Sequence, residues 1–269
     1  MLGLKLLKNF ITKMVETYEN LKRRGRHNKK DINHYVDVIV NILRTGAQWS
    51  SIENDLHYQT YYKKFVKLAQ LGIFSDAHHI LLKFLEKTES FKNDMKNPLI
   101  IDSTMIRNAL GSDVVGANHF DRHRKATKLT IIITNNGHIL SMVIDSANIN
   151  DNVLSEKAFD NIKIKVVGSR LIADKGYRSS KSKDNLAAKD CKFIYEPFKN
   201  QKEKLSEEDR KLMKNRIKVE HEFSWIFHDR RLRCRYERNS VNFLQFCYLA
   251  AIRISLGKLT EDEVKSLLD

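Results

Sequence analysis

Proline and cysteine are scarce in this chain: its 269 residues include two prolines, three cysteines and ten glycines. With so few helix breakers, long helices are expected. Cys191, Cys234 and Cys247 are odd in number and widely spaced, and none forms a C-x-x-C pair. That argues against a disulfide framework or a zinc ribbon and makes a reducing compartment the default. No stretch has the length and apolarity of a membrane span. The N-terminal MLGLKLLKNFITKMVETYENLKRR has apolar residues at helical spacing with lysines between them. It lacks a continuous apolar core and a small-residue cleavage site, so it reads as an amphipathic helix rather than a signal peptide. Acidic residues are also in deficit, with 33 Asp and Glu against 48 Lys and Arg, a formal net charge of +15. Such an excess favours a polyanionic partner, because each phosphate neutralised releases counterions. Association with a ribosome or a membrane surface would produce the same sum. The 42% hydrophobic share and 13 phenylalanines fit a globular chain with a buried core.

Residues 1–95 read as almost entirely helical. Apolar positions recur three and four apart in DINHYVDVIVNILRTGAQW (31–49), YYKKFVKLAQLG (61–72) and DAHHILLKFLEK (76–87). Asp31 is a candidate N-cap, and Gly46 and Gly72 stop two of the helices. Short helices with tight turns in a basic protein suit a helix-turn-helix type of DNA reader, and suit a plain helical packing domain equally well. The basic run LKRRGRHNKK (21–30) precedes the second helix, either as a solvated loop or as a phosphate contact. From Pro98 onward the pattern changes. PLIIDSTMI (98–106), KLTIIIT (128–134) and HILSMVID (138–145) read as strands, the last two joined by Asn135-Asn136-Gly137, a strong hairpin signal. A helix around 152–162, a strand over 164–174, a helix near 180–189 and a strand over 191–198 follow. A long helix is expected from about 206 to 229 and a last one over 239–256. The fold class is therefore α/β, a mixed sheet flanked by helices (96–269) behind an all-helical N-terminal domain (1–95).

Several acidic residues stand where chemistry could use them. Asp102 follows Pro-Leu-Ile-Ile in the first strand, and Asp174 ends Arg-Leu-Ile-Ala before Lys175-Gly176-Tyr177. A carboxylate at the end of a buried strand costs desolvation unless a cation meets it. If the strands are neighbours, both could share a hard cation such as Mg²⁺ or Mn²⁺. Glu220 lies in the long helix with Arg216 one turn earlier. Asp145 also ends a strand and Glu222 neighbours Glu220, so spacing alone does not choose among these acids. Gly111 and Gly116 make a G-x-x-x-x-G, but Ala117-Asn118 stands where a phosphate loop needs Lys and Ser or Thr. His119, Asp121 and His123 could bind a metal from a strand, although Arg122, Arg124 and Lys125 beside them favour a basic loop near DNA. Ser103 and Thr104 lack a paired base and fit hydrogen bonding better than nucleophilic catalysis. DRRLRCRYER (229–238) interleaves Arg230, Arg231, Arg233 and Arg235 with Tyr236; such a run is ordinarily a solvated helix end, and in a basic protein it also suits phosphate tracking with one stacking aromatic. Trp49 and Trp225 sit in apolar helical contexts and read as core residues.

The surrounding motifs are more specific than the acids. DVIVNILRTGAQW (37–49), YYKKFVKLAQLGIF (61–74), LIIDSTMIR (99–107), GANHFDRHRKATKLTIIITNNGHILSMVIDSANINDN (116–152), LIADKGYRS (171–179) and RIKVEHEFSWIFHDRRLRCRYER (216–238) occur in this order. Together they resemble bacterial insertion-sequence transposases of the IS5 type, within the IS4/IS5-like group, over about residues 30 to 255. The resemblance implies an RNase H-like core and a DDE triad on Asp102, Asp174 and Glu220, preferring Glu220 over Glu222 and leaving Asp145 outside. It further implies two Mg²⁺ or Mn²⁺ ions, cleavage at element ends and transfer of the freed 3′-hydroxyl to target DNA. Arg216 and Lys175 would contact DNA, and pairing two ends implies a homodimer on double-stranded DNA. The expected location is the cytoplasm of a bacterial host, on the nucleoid, or the nucleus of a eukaryotic one. Two positions depart from the family pattern: Met213 stands where the family has a tyrosine and Phe227 where it has a lysine. Lys218, Arg230 and Arg231 are the candidates to supply that missing charge. An inactive or domesticated DNA-binding derivative and a related endonuclease are the alternative functions.

Overall fold

The computed structural model describes residues 2–21, 31–166, 168–197 and 205–268. Most of the basic run at 21–30 lies outside the described residues. Five helices open the chain: α1 (Leu2–Leu21), α2 (Ile32–Thr45), α3 (Tyr58–Gln70), α4 (Ile73–Leu85) and α5 (Glu89–Asp94). Asp31 caps α2 as its position predicts, its carboxylate accepting from the Asn33 amide at 3.1 Å. Gly46 closes α2 and Gly72 separates α3 from α4, both with left-handed backbone near φ +70° that glycine adopts without strain.

Seven strands follow: β1 (Leu99–Asn108), β2 (Gly116–Asn118), β3 (Arg124–Ile133), β4 (Ile139–Ser146), β5 (Ser169–Ala173), β6 (Cys191–Tyr195) and β7 (Cys234–Arg235). Helices α6 (Asp151–Asp160), α7 (Ser180–Ala187), α8 (Glu207–Met213), α9 (Ile217–Phe227), α10 (Ser240–Leu256) and α11 (Glu261–Leu268) complete the chain. One sheet runs in the order β2-β3-β1-β5-β6, with β4 also pairing β3 and β7 pairing β1. β3 is antiparallel to β1 and to β4, whereas β5 is parallel to β1 and β6 parallel to β5. This mixed sheet flanked by helices is consistent with an RNase H-like domain. Strand β5 is shorter than the apolar run suggests, because Gly168 turns the backbone at φ +72° just before it.

The expected long helix over 206–229 is interrupted. Residues Lys214–Arg216 tighten into a 3₁₀ turn between α8 and α9, a device common where a helix is redirected at a site. Nothing in the local propensities announces it.

The buried core is continuous across the expected boundary near residue 95. Leu7, Phe10, Ile39, Phe65 and Leu81 from the N-terminal helices belong to the same cluster as Ile100, Ile131, Leu171 and Leu249. Helix α10, with twelve buried residues, packs on α1, α3 and α4 as well as on β4. Asp229, fully buried, is held by Arg253 at 2.8 Å and by Arg44 at 3.5 Å, joining α2, α10 and the end of α9 through one charge cluster. Trp49 behaves as its apolar context suggests, packing against Phe65 and Phe246. Trp225 does not: it is 50% exposed and lies against the His228 ring.

The Asn-Gly hairpin forms as expected, with Gly137 at φ +82° and the Thr134 amide donating to the His138 carbonyl. Its turn is docked rather than free. The Asn136 amide donates to the buried Asp94 carboxylate at 3.0 Å, and Lys218 donates to Asn135 Oδ1 at 2.6 Å. A Cβ on Gly137 would come within 1.9 Å of Glu222 Oε1 and 2.4 Å of Lys258 Nζ. Gly137→Ala therefore combines backbone strain with a collision against the buried Glu222 carboxylate and its partner Lys258. It is expected to cost roughly 2 kcal/mol or more, read as a lowered denaturation midpoint with unchanged m-value.

Candidate active site on the free edge of β1

Strand β1 is ten residues long, yet its partners on one edge are short. It pairs β5 at Leu99 and Ile100 and β7 at Arg107 and Asn108. Among the described residues no strand pairs the stretch between them on that edge, and Asp102 stands in this gap. Asp102 lies opposite Ile131, and Ser103 opposite Thr130. Successive strand residues face opposite sides, so the two side chains diverge at the same point of the edge. Asp174 follows the last residue of the parallel neighbour β5 and caps the 3₁₀ turn Lys175–Tyr177, accepting from the Lys175 amide at 2.7 Å.

The two aspartates are brought within electrostatic reach of each other. Burial pushes the Asp102 carboxyl up to about 6. The Ser103 amide, donating at 2.8 Å, and the Arg216 guanidinium oppose that shift, while Asp174 and Asp151 reinforce it. Arg216 also stands 3.3 Å from Asp174 Oδ1. The 3₁₀ turn between α8 and α9 thus delivers the cation shared by the two aspartates. Lys175 is exposed beside them.

Glu220 is exposed on α9, which packs on β1. Among the described residues the acidic, histidine and cysteine side chains are not gathered into any group of three spaced to hold a metal ion, so Asp102, Asp174 and Glu220 do not form one in this arrangement. The competing acids are committed elsewhere. Glu222 is buried and paired with Lys258 at 2.9 Å, and Asp145 is paired with Lys157 at 2.8 Å.

Asp151 was not singled out in the sequence as a site acid. It is the first residue of α6, and Lys128 donates to it at 2.8 Å and to the Ile149 carbonyl at 2.6 Å. A Cβ on Gly176 would lie 3.3 Å from Asp151 Oδ2, so Asp151 packs against the turn that follows Asp174. Tyr177, raised above its ordinary range by burial, bonds Ser103, which in turn bonds Thr130 at 2.7 Å. This hydrogen-bonded chain pins the Asp174 turn to β1 and β3 and gives Ser103 a structural role. The one signal in the sequence was Lys128, a lysine beginning an apolar strand, which needs a carboxylate when buried.

The basic candidates divide. Arg122, Arg124 and Lys125 are exposed beyond β2, and Arg230, Arg233 and Tyr236 are exposed after α9. Arg231 and Arg235, expected to track phosphate, are buried instead. Arg231 pairs with Glu237 at 2.7 Å and donates to the Ala47 carbonyl. Arg235, 0% exposed, serves the Asp113 carboxylate and carbonyl, Thr127 and the Glu237 and Arg238 carbonyls. The correction has a simple cause: β7 alternates inward and outward, and its inward arginine reaches main-chain carbonyls that need a donor. Lys218, tied to Asn135, and Arg231 are likewise not free to replace the lysine absent at Phe227; Arg230 is exposed. Phe227 and Met213 pack against the core.

A mixed sheet with Asp102 on an open edge of β1 and Asp174 just after the parallel strand β5 is consistent with an RNase H-like domain. The family model described as transposase DDE domain matches residues 94–254, more than half of the chain, and the chain belongs to that family. No curated protein matches the sequence. Among the described residues no helix is long and apolar enough to cross a membrane.

The split among the arginines is testable. Arg235→Ala leaves the Asp113, Glu237 and Arg238 carbonyls without their buried donor and is expected to cost about 3–5 kcal/mol, a fall in Tm of roughly 10 °C for a chain of this size. Arg233→Ala, at an exposed position, is expected to leave Tm within about 2 °C.

Proposed function

We infer that this transposase is of the IS5 type and that it cuts DNA at the ends of its element and joins the freed 3′-hydroxyl to target DNA. The observation that carries the reading is the placement of Asp102 and Asp174 at one unpaired strand edge with Arg216 between α8 and α9 as their shared cation. In this reading Asp102, Asp174 and Glu220 are the catalytic triad. Their all-oxygen donor set suits Mg²⁺ or Mn²⁺, and the half-buried Asp102 beside two further carboxylates has more negative charge around it than Arg216 alone offsets. Two such ions, when bound, would activate the attacking hydroxyl and stabilise the departing oxygen. The chain's own residues do the rest. Arg216 orients the scissile phosphate, Lys175 and the exposed Arg230, Arg233 and Tyr236 hold the flanking strand, and Arg122, Arg124 and Lys125 grip the duplex further along. Glu220 joins the aspartates through a shift of α9 when DNA is bound. The N-terminal helices, in a domain spanning about residues 1–95, assist end recognition. The active species is a homodimer on DNA in the bacterial cytoplasm.

A second reading, a derivative that binds DNA without cutting it, is favoured by Phe227 and Met213, which pack against the core at positions where the family carries a lysine and a tyrosine. Strand cleavage and joining in Mg²⁺ or Mn²⁺, with DNA binding measured in parallel, distinguish the two. Asp102→Asn, Asp174→Asn and Glu220→Gln are each expected to lower cleavage by roughly a hundredfold or more, the scale of losing one transition-state contact, with Tm and binding retained. Full cleavage by Glu220→Gln would remove that residue from the triad. Binding by the wild type without any nicking would establish the second reading, and nicking without joined products an endonuclease.

A further inference from the structure

The large apolar side chain with the greatest exposure among the described residues is Phe120, at 93%. It sits at the tip joining β2 to β3, and that tip is braced. The strands pair at Gly116/Ala126, Ala117/Lys125 and Asn118/Arg124. The buried Asn118 accepts three amides, from Asp121 and His123 on its carbonyl and from Phe120 on its side chain at 3.0 Å. The Arg124 amide closes the turn on the Asp121 carbonyl at 2.9 Å. Arg122 and His123 are consecutive left-handed residues, at φ +49° and +59°, with no glycine to relieve the strain. Each such residue costs on the order of 1–3 kcal/mol and persists only where its surroundings enforce it. The His119 and His123 rings on either side of it in sequence meet edge to face at 4.9 Å. The fold thus holds an aromatic ring out in water where it contributes nothing to the core.

Charge indicates what the ring meets. Arg122, Arg124 and Lys125 are all exposed around it, and the only acid of the tip, Asp121, lies 3.8 Å from Arg124. Two copies of so cationic a tip repel each other, whereas a phosphate backbone is attracted. Position matters as well. From Arg124 to Ile131, the partner of Asp102, is seven strand residues, about 24 Å at ~3.4 Å per residue. That equals roughly seven base-pair rises of 3.4 Å, so one duplex can span the tip and the site within a single helical turn.

We propose that the β2–β3 tip is a DNA wedge, in which Phe120 stacks on a base or enters a base step while Arg122, Arg124 and Lys125 hold the phosphates on either side. The inference rests on the transposase reading above and adds to it a means of deforming the duplex. An apolar side chain inserted at a step kinks the helix, and a kink a short distance from the cut bends DNA onto the free edge of β1. Stacking on an aromatic ring is tolerant of sequence, because every base has a π-face.

The test uses the full chain and a set of 20-base-pair mixed-sequence duplexes, each with one 2-aminopurine at a different position. Binding is followed by anisotropy across a salt series and unstacking by 2-aminopurine fluorescence. The wild type is expected to bind and to raise the fluorescence. Phe120→Ala is expected to keep its Tm and salt slope, to bind roughly 5- to 150-fold more weakly and to lose the fluorescence rise; Phe120→Trp is expected to restore both. Arg122→Ala and Arg124→Ala are expected each to lower the salt slope by about one. Wild-type affinity and fluorescence in Phe120→Ala would overturn the wedge while leaving the transposase reading intact. So would dissociation of a dimer by Phe120→Ala in sedimentation without DNA, which would make the tip a protein contact. Failure of the wild type to bind any duplex would overturn both.

Discussion

A carboxylate half withdrawn from water and set near two others is held in place only if cations and hydrogen bonds meet it from several directions. Asp102 is in that position, and the surrounding structure can be understood as its support. The Ser103 amide donates to it, and Arg216 reaches across to Asp174 from a 3₁₀ turn. On the Ser103 side, Lys128 holds Asp151, and the Tyr177–Ser103–Thr130 chain fastens the turn after Asp174 to the centre of the sheet. Each contact draws on a different element, so the site exists only when β1, β3, β5, α6 and the α8–α9 junction are assembled.

The same economy explains the arginines. A basic protein that handles a polyanion needs exposed cations, yet two of its arginines are taken inside. Arg231 satisfies Glu237 and the Ala47 carbonyl beyond α2, and Arg235 satisfies Asp113, Thr127 and main-chain carbonyls between β1 and β2 and after β7. With Asp229 between Arg44 and Arg253, they fix the orientation of α9 relative to β1. Hydrophobic contacts through α10 supply the bulk of the packing; these few charges specify its register. Among the arginines the sequence singled out, the exposed ones lie in two groups, Arg230 and Arg233 beyond α9 and Arg122 and Arg124 around the β2–β3 tip.

Much of the fold was legible along the chain. Apolar periods of 3.6 and 2 located the main helices and strands, Asp31 and Gly46 marked the limits of α2, and Asn135-Asn136-Gly137 marked the hairpin. Less legible were the features that depend on distant partners. The strand β2, the two-residue β7 and the 3₁₀ break at Lys214–Arg216 are too short or too context-dependent to leave a pattern. Trp225 looked like core from its neighbours, but helix phase alone does not say which face another element covers.

By itself the sequence determined the class of fold, the basic character and a short set of candidate acids, because these follow from local periodicity and composition. Tertiary structure decided which charges are free. Only the assembled sheet leaves one edge of β1 open at Asp102 among the described residues, brings Arg216 to Asp174, recruits Asp151, and turns Arg231 and Arg235 inward while holding Phe120 out. The physical reason is that a side chain's solvation and partners are properties of elements far apart in sequence, and no local pattern encodes the distance between them.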